Sequence, residues 1–385
     1  MSDLIERVRE RLAQDGAALR PAVVADAIRA ESGGLLGDTE VLSNMRSVAI
    51  ELTGAGLLDP LLRASGTTDV LVTAPDAVWV DDGNGLRRSG IRFPDEDAVR
   101  RLAQRLALAA GRRLDDSQPW VDGHLSCVGA DPVRLHAVLP PVAAAGTCIS
   151  LRVLRPVRQD LAALIAAGAI AEPAADLLAG IIAARLAFLV CGGTGAGKTT
   201  LLSALLGTVA DTERLVCVED AAELAPQHPH VVKLVARGPN VEGVGAVTVR
   251  DLVRQALRMR PDRIVVGEVR GAEVVDLLTA LNTGHDGGAG TVHANSAAEV
   301  PARLEALAGL GGLDRTALHS QLAAAFQVVV HVGRARDGIR RVREIAVVER
   351  DHDGWVGART AWQLRHGFGD GIDALRHLLD QAGIR

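Results

Sequence analysis

Hydrophobic positions change period along the chain, and the changes mark out its parts. Over residues 1–65 the pattern is helical. Leu4, Val8 and Leu12 fall on one face with charges opposite, and Val41 to Leu62 repeats the spacing. Ser32-Gly33-Gly34 and Gly37-Asp38 punctuate the two stretches. From Asp69 the apolar runs shorten. Val70-Leu71-Val72 and Val78-Trp79-Val80 are expected strands, and Asp82-Gly83-Asn84-Gly85 supplies turn residues after the second. Asp95 to Ala110 reads as a helix with an acidic first turn, ending near Gly111. Arg134–Val138 and Cys148–Val153 read as further strands, separated by breaks at Pro140-Pro141 and Ala145-Gly146. Pro156 to Asp160 reads as a linker. Beyond it comes an apolar strand (Leu186 to Cys191), a glycine loop, a helix (Lys198 to Leu206), and apolar runs at Leu215–Val218 and Ile264–Val266. Uninterrupted apolar runs suit central strands buried on both faces, and the alternation with helices implies a mostly parallel α/β sheet. The expected organisation is a helical segment at 1–65, a smaller α+β domain at 66–155, a linker at 156–160 and an α/β domain at 161–385.

Composition narrows this picture. Hydrophobic residues make up 48% of the 385, but aromatics only 2%, with no Tyr, so the core must be built from Ala, Val, Leu and Ile. The formal charge of −5 argues against broad, non-specific duplex binding, while leaving room for a local basic patch. Cys127, Cys148, Cys191 and Cys217 form no C-x-x-C pair, so no structural zinc is expected. Cys191 and Cys217 sit in apolar runs and read as buried, inert thiols. Met1 to Gln14 is charged throughout, so no leader is expected. The most apolar stretch, Leu161 to Gly193, is interrupted by Glu172, Pro173, Asp176 and Arg185 and falls short of a membrane span. A cytoplasmic protein, free to dock on a membrane partner, is expected.

The chemistry is carried first by Gly192-Gly193-Thr194-Gly195-Ala196-Gly197-Lys198-Thr199, a full match to G-x-x-x-x-G-K-[ST], with Thr200 following. Glycines let successive N–H groups converge on phosphate oxygens, and the helix that begins there adds its N-terminal dipole. Lys198 is expected to reach the β- and γ-phosphates of ATP, and Thr199 to offer its hydroxyl to Mg²⁺. The loop follows an apolar strand and precedes a helix, the context such a loop requires.

Hydrolysis also needs a group that orients water and a group that supports the metal. Ile264-Val265-Val266 is followed by Gly267 and then Glu268, so the acid stands one residue beyond the position that many phosphate-loop enzymes use. Glu268 is the candidate for water activation; a solvated glutamate at a strand end is the plainer alternative. Glu219-Asp220, with Glu223 close behind, follows the Leu215–Val218 run, and Glu219 is the candidate metal-side acid. His285 and His293 bracket a glycine-dense stretch that suits a sensor of the γ-phosphate; structural histidines are the alternative. Arg250, Arg254, Arg258, Arg260 and Arg263 precede Glu268, either as a solvated face paired with Asp251 and Asp262 or as a subunit contact or an arginine reaching a neighbouring nucleotide.

These boxes stand in a fixed order: the phosphate loop; Val218-Glu219-Asp220-Ala221-Ala222-Glu223-Leu224; Arg258-Met259-Arg260-Pro261-Asp262-Arg263 running into Ile264–Gly271; and Thr283-Gly284-His285-Asp286-Gly287 leading to Thr291-Val292-His293-Ala294-Asn295. The series resembles the ATPases of the type II and type IV secretion superfamily, which also power type IV pili, and its wording is most similar to the tight-adherence (Tad, CpaF-like) branch. Upstream, Asp115 to Leu125 and Arg134 to Pro141 look like that branch's N-terminal domain, and the likeness spans roughly residues 65–350. The resemblance implies a RecA-like ATPase domain preceded by the α+β domain, in a homohexameric ring. It implies nucleotide held between the domains and a motor acting on pilins or secreted substrate with inner-membrane platform proteins. It assigns metal and water handling to Glu219 and Glu268, and the histidine box to His285 and His293. It implies phosphate contacts from N-terminal arginines, here Arg134 and Arg152. The tetracysteine zinc module of some relatives is absent, and the interior Gly287-Gly288-Ala289-Gly290 is more glycine-rich than the usual polar version, which bears on loop stiffness.

Rival readings are a conjugation-type motor on nucleic acid, a non-enzymatic nucleotide-binding scaffold, and a small-molecule kinase or GTPase. Acidic charge and scarce aromatics weigh against the first, intact Lys198, Thr199 and Glu268 against the second, and the missing Asn-Lys-x-Asp motif and the histidine box against the third.

Overall fold

The computed structural model describes residues 7, 8, 11, 21–33, 37, 40, 41, 54–125, 128, 131–155, 159–240, 242–335 and 337–384. Leu4, Leu12, the stretch 42–53, Cys127 and the linker residues 156–158 lie outside them. The chain divides into two compact units, Met1–Arg155 with Asn240–Glu242, and Pro156–Pro239 with Gly243–Arg385.

In the first unit, helix α1 (Pro21–Glu31) stops where Ser32-Gly33 is expected to end it. Its Val24, Ala27 and Ile28 pack with Val8 and Val41 in a small apolar cluster. A short 3₁₀ turn (Gly56–Leu58) leads into α2 (Asp59–Arg63). Strands β1 (Asp69–Ala74), β2 (Ala77–Asp81) and β3 (Leu86–Arg88) precede α3 (Glu96–Ala109), and β4 (Trp120–Leu125), β5 (Val133–Val138) and β6 (Cys148–Val153) follow it. They form an antiparallel sheet in the order β3-β2-β1-β6-β5-β4. Asp81 Oδ1 accepts from Gly83 N (2.7 Å) and Gly85 N (3.2 Å), which closes the glycine turn. Asp95 caps α3 by accepting from Ala98 N at 2.8 Å. Alternation along the strands sends Val70, Val72, Leu135, Ile149 and Leu151 into a core with Val99, Leu102 and Leu106 of α3. The other face carries Asp69, Asp122, Arg134, His136 and Arg152 around a groove of about 480 Å³.

The second unit opens with α4 (Leu161–Ala166) and α5 (Glu172–Ala183), then β7 (Phe188–Cys191), α6 (Lys198–Leu206), β8 (Leu215–Glu219), β9 (Val231–Val235), α7 (Val249–Ala256), β10 (Arg263–Val269), α8 (Glu273–Leu281) and β11 (Ala289–Val292). Helices α9 (Val300–Leu310) and α10 (Arg315–Ala325), strands β12 (Val328–Arg334), β13 (Arg340–Arg350), β14 (Val356–Gln363) and β15 (Gly367–Phe368), and α11 (Ile372–Gln381) complete it. The nine-stranded sheet runs β15-β14-β13-β12-β7-β11-β10-β8-β9. It is parallel from β12 to β9 and antiparallel from β12 to β15. Phe188 and Val190 face a core built with α5, α6 and α11, while Leu189 and Cys191 face one built with α7 to α10. Two-sided burial is why these strands read as unbroken apolar runs. It also buries the thiols: desolvation pushes Cys191 and Cys217 each up to about 12.

Candidate functional site

All ligand-facing chemistry of a parallel sheet gathers at the carboxyl ends of its strands, and β7, β8, β10 and β11 each deliver a segment there. After β7 the chain turns through Gly192, Gly195 (φ 69°) and Gly197 (φ 97°), conformations that favour glycine. A Cβ at Gly192 would lie 2.3 Å from Val332 O of β12, so no other residue fits. Lys198, 8% exposed at the start of α6, donates from Nζ to Gly192 O (3.0 Å) and Gly193 O (3.1 Å) and lies 3.3 Å from His293 Nε2. Burial holds its ammonium below the usual lysine value, with Glu268 opposing the shift. A phosphate entering the loop competes with these carbonyls for the same ammonium. Thr199 and Thr200 follow it, both half-buried.

The displaced acid has a structural cause. Strand β10 pairs with β11 at Val266↔Gly290 and next at Val269↔Val292, so it carries one extra residue across the interval Gly267–Glu268. This is a β-bulge, which re-aims side chains and commonly borders active sites. Thr291 Oγ1 donates to Gly267 O at 2.6 Å and pins the bulge. A Cβ at Gly267 would lie 2.7 Å from Glu219 Cγ, so the glycine is what lets the two acids share this corner. Glu268 Oε1 lies 2.6 Å from His293 Nε2, and Arg270 Nη2 pairs with Glu268 Oε2. Arg270 Nη1 is also 3.8 Å from Asp220 Oδ2, tying the two acidic boxes together.

Glu219, 3% exposed at the end of β8, accepts at Oε1 from Glu223 N (3.0 Å) and Leu224 N (2.8 Å). Desolvation raises its carboxyl to about 7 against the pull of those two N–H groups. Its Oε2 is buried with no hydrogen-bond partner. An orphaned carboxylate oxygen and the Thr199 hydroxyl are hard donors of the kind Mg²⁺ accepts. Among the described residues no cluster of three or more His, Cys, Asp or Glu could hold a metal by itself. By their chemistry these two oxygen donors fit Mg²⁺ held jointly with nucleotide phosphates and water.

His293 stands just beyond β11, and its Nε2 faces two groups: the Lys198 ammonium, which needs an acceptor, and the Glu268 carboxylate, which needs a donor. One nitrogen cannot serve both at once. Burial and Lys198 lower its proton affinity below that of ordinary imidazole, so the neutral ring is favoured.

The structure does not bring His285 to this corner. It precedes β11, at the opposite end of the sheet, with Nδ1 3.1 Å from Ala280 O. The glycines beside it are packing positions: a Cβ at Gly287 would lie 2.9 Å from Arg263 Nη1, and one at Gly288 2.4 Å from Leu281 Cδ2. The glycine density thus reflects close contact with β10 and α8 and corrects the reading of a phosphate-approaching loop. Three of the five arginines are paired within the chain. Arg250 (2.6 Å) and Arg254 (2.7 Å) pair with Asp276 of α8, in place of Asp251 and Asp262. Buried Arg263 pairs with Glu213 at 2.8 Å. Arg258 and Arg260 are exposed. In the first unit Arg134 pairs with Asp122 (2.6 Å) and Arg152 with Asp69 (2.9 Å). Arg270, just past the end of β10 and two residues after Glu268, is a residue of this corner that the motif reading misses.

The Type II/IV secretion system protein family model matches residues 51–355. The chain belongs to that family. It is 74% identical over 347 residues to a "putative conjugal transfer protein" of Mycobacterium tuberculosis, covering 90% of this chain and 98% of that one. It is 32% identical over 326 residues to the type IV secretion system protein PtlH of Bordetella pertussis, covering 76% of this chain and 93% of that protein. Among solved structures, the pilus retraction motor PilT with bound ADP superposes with a TM-score of 0.53 at 21% identity, over 83% of this chain and 85% of that one. That likeness supports the fold: a RecA-like ATPase domain preceded by an N-terminal α+β domain. No helix among the described residues is long and apolar enough to cross a membrane.

Proposed function

We propose that this chain is a Mg²⁺-dependent ATP-hydrolysing motor that powers pilus assembly or protein secretion at the inner membrane. The observation that carries the reading is the convergence of Lys198, His293 and Glu268, with Nζ–Nε2 at 3.3 Å and Nε2–Oε1 at 2.6 Å, beside a phosphate loop. Gly192 to Thr200 cradle the phosphate tail, and Lys198 leaves its loop carbonyls for phosphate oxygens. Losing Lys198 frees His293 Nε2 to carry its N–H toward Glu268 and donate a hydrogen bond to the carboxylate, which stays ionised, so filling the loop fixes the group that orients the attacking water. Thr199 and the Glu219 carboxylate would hold Mg²⁺ and its water shell, and the ion would supply charge neutralisation on the phosphates. Arg134 and Arg152 are the proposed phosphate contacts of the N-terminal domain, exchanging Asp122 and Asp69 for phosphate.

The proposed division is a helical segment at 1–65, an α+β domain at 66–155, a linker at 156–160 and the ATPase domain at 161–385. The motor acts as a hexameric ring in the cytoplasm, peripheral to the membrane and docked on platform proteins. The wording of the four boxes supports the tight-adherence branch within the family. The test is the ATPase rate over a protein concentration series, with mass measured at each point. Activity that rises as a six-subunit species forms is expected; full activity in a monomer would remove the ring requirement. A second reading, a conjugation motor on nucleic acid, draws support from the name of the 74% identical relative. Stimulation of the ATPase by single-stranded DNA would favour it over the first.

A further inference from the structure

Strand β12 runs parallel to β7, so the turn that follows it stands at the same end of the sheet as the phosphate loop. That turn is tight, closed by Ala335 N donating to Ile339 O at 2.8 Å, and β13 returns from it starting at Arg340. The contact with the loop is close. Val332 O defines the space at Gly192, and the Arg340 stem lies over Gly197, with Cδ 3.2 Å and Cβ 3.7 Å from where a Cβ there would sit.

The hairpin is rich in arginine, and most of these heads are engaged. Arg334 Nε donates to Gly338 O at 3.0 Å, Arg341 pairs with Asp337 at 2.7 Å, and Arg343 Nη2 donates to Arg334 O. Those three contacts hold the hairpin together. Arg340 differs. It is exposed, and among the described residues no hydrogen bond or ion pair is made by its guanidinium. A cation whose stem is held against the phosphate loop, and whose head is uncommitted, is arranged for an anion at that loop.

We propose that Arg340 is a further nucleotide-binding residue, its guanidinium meeting oxygens of the phosphate tail that the loop cradles. This rests on the phosphate-loop reading above and adds to it a residue from the hairpin across β12. The same stem contact has a plainer use, as a packing lid on Gly197, and charge is what separates the two roles.

The test is calorimetric titration of ADP into the full chain, with inorganic pyrophosphate as a base-free probe. Arg340→Gln keeps carbons against Gly197 and removes the cation. It should weaken ADP and pyrophosphate alike, roughly tenfold or more, as the loss of a charge-assisted contact does. Arg340→Lys should recover part of that loss. Arg258→Gln makes the same charge change at the amino end of β10, away from the loop, and should leave both affinities as they are. Wild-type affinity in Arg340→Gln, with binding lost in Lys198→Ala, would leave Arg340 a packing residue and overturn the proposal. A loss confined to ADP, with pyrophosphate unaffected, would overturn the phosphate assignment. Undiminished ADP binding by Lys198→Ala would sink the phosphate-loop reading itself.

Discussion

Replacing Glu219 by Gln should stabilise the protein at alkaline pH while impairing its chemistry. Burial raises this carboxyl to about 7 in the folded chain, whereas the unfolded value is about 4.3. Between those values the folded state holds a proton that the unfolded state has lost. Stability therefore falls as pH rises through this window and stays lowered above it. A tenfold change in proton affinity is worth about 1.4 kcal/mol, so the ionised carboxylate costs about 3–4 kcal/mol above pH 8. Gln keeps an oxygen for Glu223 N and Leu224 N but carries no charge to desolvate. Near pH 4.5 wild type is protonated here, and the two proteins should match. At pH 8.5 the Gln variant should be more stable by a few kcal/mol. The assay is urea unfolding at several pH values, with chelator present and nucleotide omitted, so that no bound cation alters the carboxylate. A difference that stays flat with pH, or Gln less stable at pH 8.5, would refute the reasoning and mean that Glu219 is ionised in the folded chain at neutral pH.

Other outcomes follow from the same corner. Glu268→Gln should bind ATP and trap it unhydrolysed, seen as retained nucleotide with turnover lowered by about 100-fold or more; normal hydrolysis would remove Glu268 from the mechanism. His293→Ala should slow turnover while ADP affinity holds, and His285→Ala should leave turnover within about twofold of wild type, because His285 lies at the other end of the sheet. Equal losses from both would contradict that separation. Gly267→Ala forces a methyl to within 2.7 Å of Glu219 Cγ and should cost about 1–3 kcal/mol in urea unfolding, with turnover reduced.

Much of this site was legible because its signals are local. The phosphate loop declares itself through glycine spacing between an apolar run and a helix, and Glu219 and Glu268 through acids placed where apolar runs end. What escaped depends on contacts between distant segments. Glycine density around His285 reads as a loop until Arg263 and Leu281 are seen filling the space a Cβ needs. The partner of Arg250 and Arg254 is Asp276 on the next helix, closer in space than the acids nearer in sequence. The two-unit fold was visible in the change of period, but the antiparallel extension β13 to β15 and its hairpin against the loop were not. Nothing about Arg340 in sequence distinguishes it from its arginine neighbours; only the approach to Gly197 does.

The displaced acid ties these threads together. Val266 and Val269 both face the core built with α7 to α10, so the bulge fits two residues, Gly267 and Glu268, on the opposite face where regular pairing would hold one. The extra residue sets Glu268 one step further along the strand, and that residue must be glycine because Glu219 occupies the space beside it. Thr291, which pins the bulge through Gly267 O, lies two residues before His293 on β11. One glycine and one hydroxyl thus shape the corner that Glu268, Glu219 and His293 share. Removing the Thr291 hydroxyl, as in Thr291→Val, should loosen Glu268 relative to His293. Turnover should then fall with nucleotide affinity maintained, since the loop and Lys198 are untouched. A matched fall in ADP affinity would show instead that the bulge supports the phosphate loop as a whole.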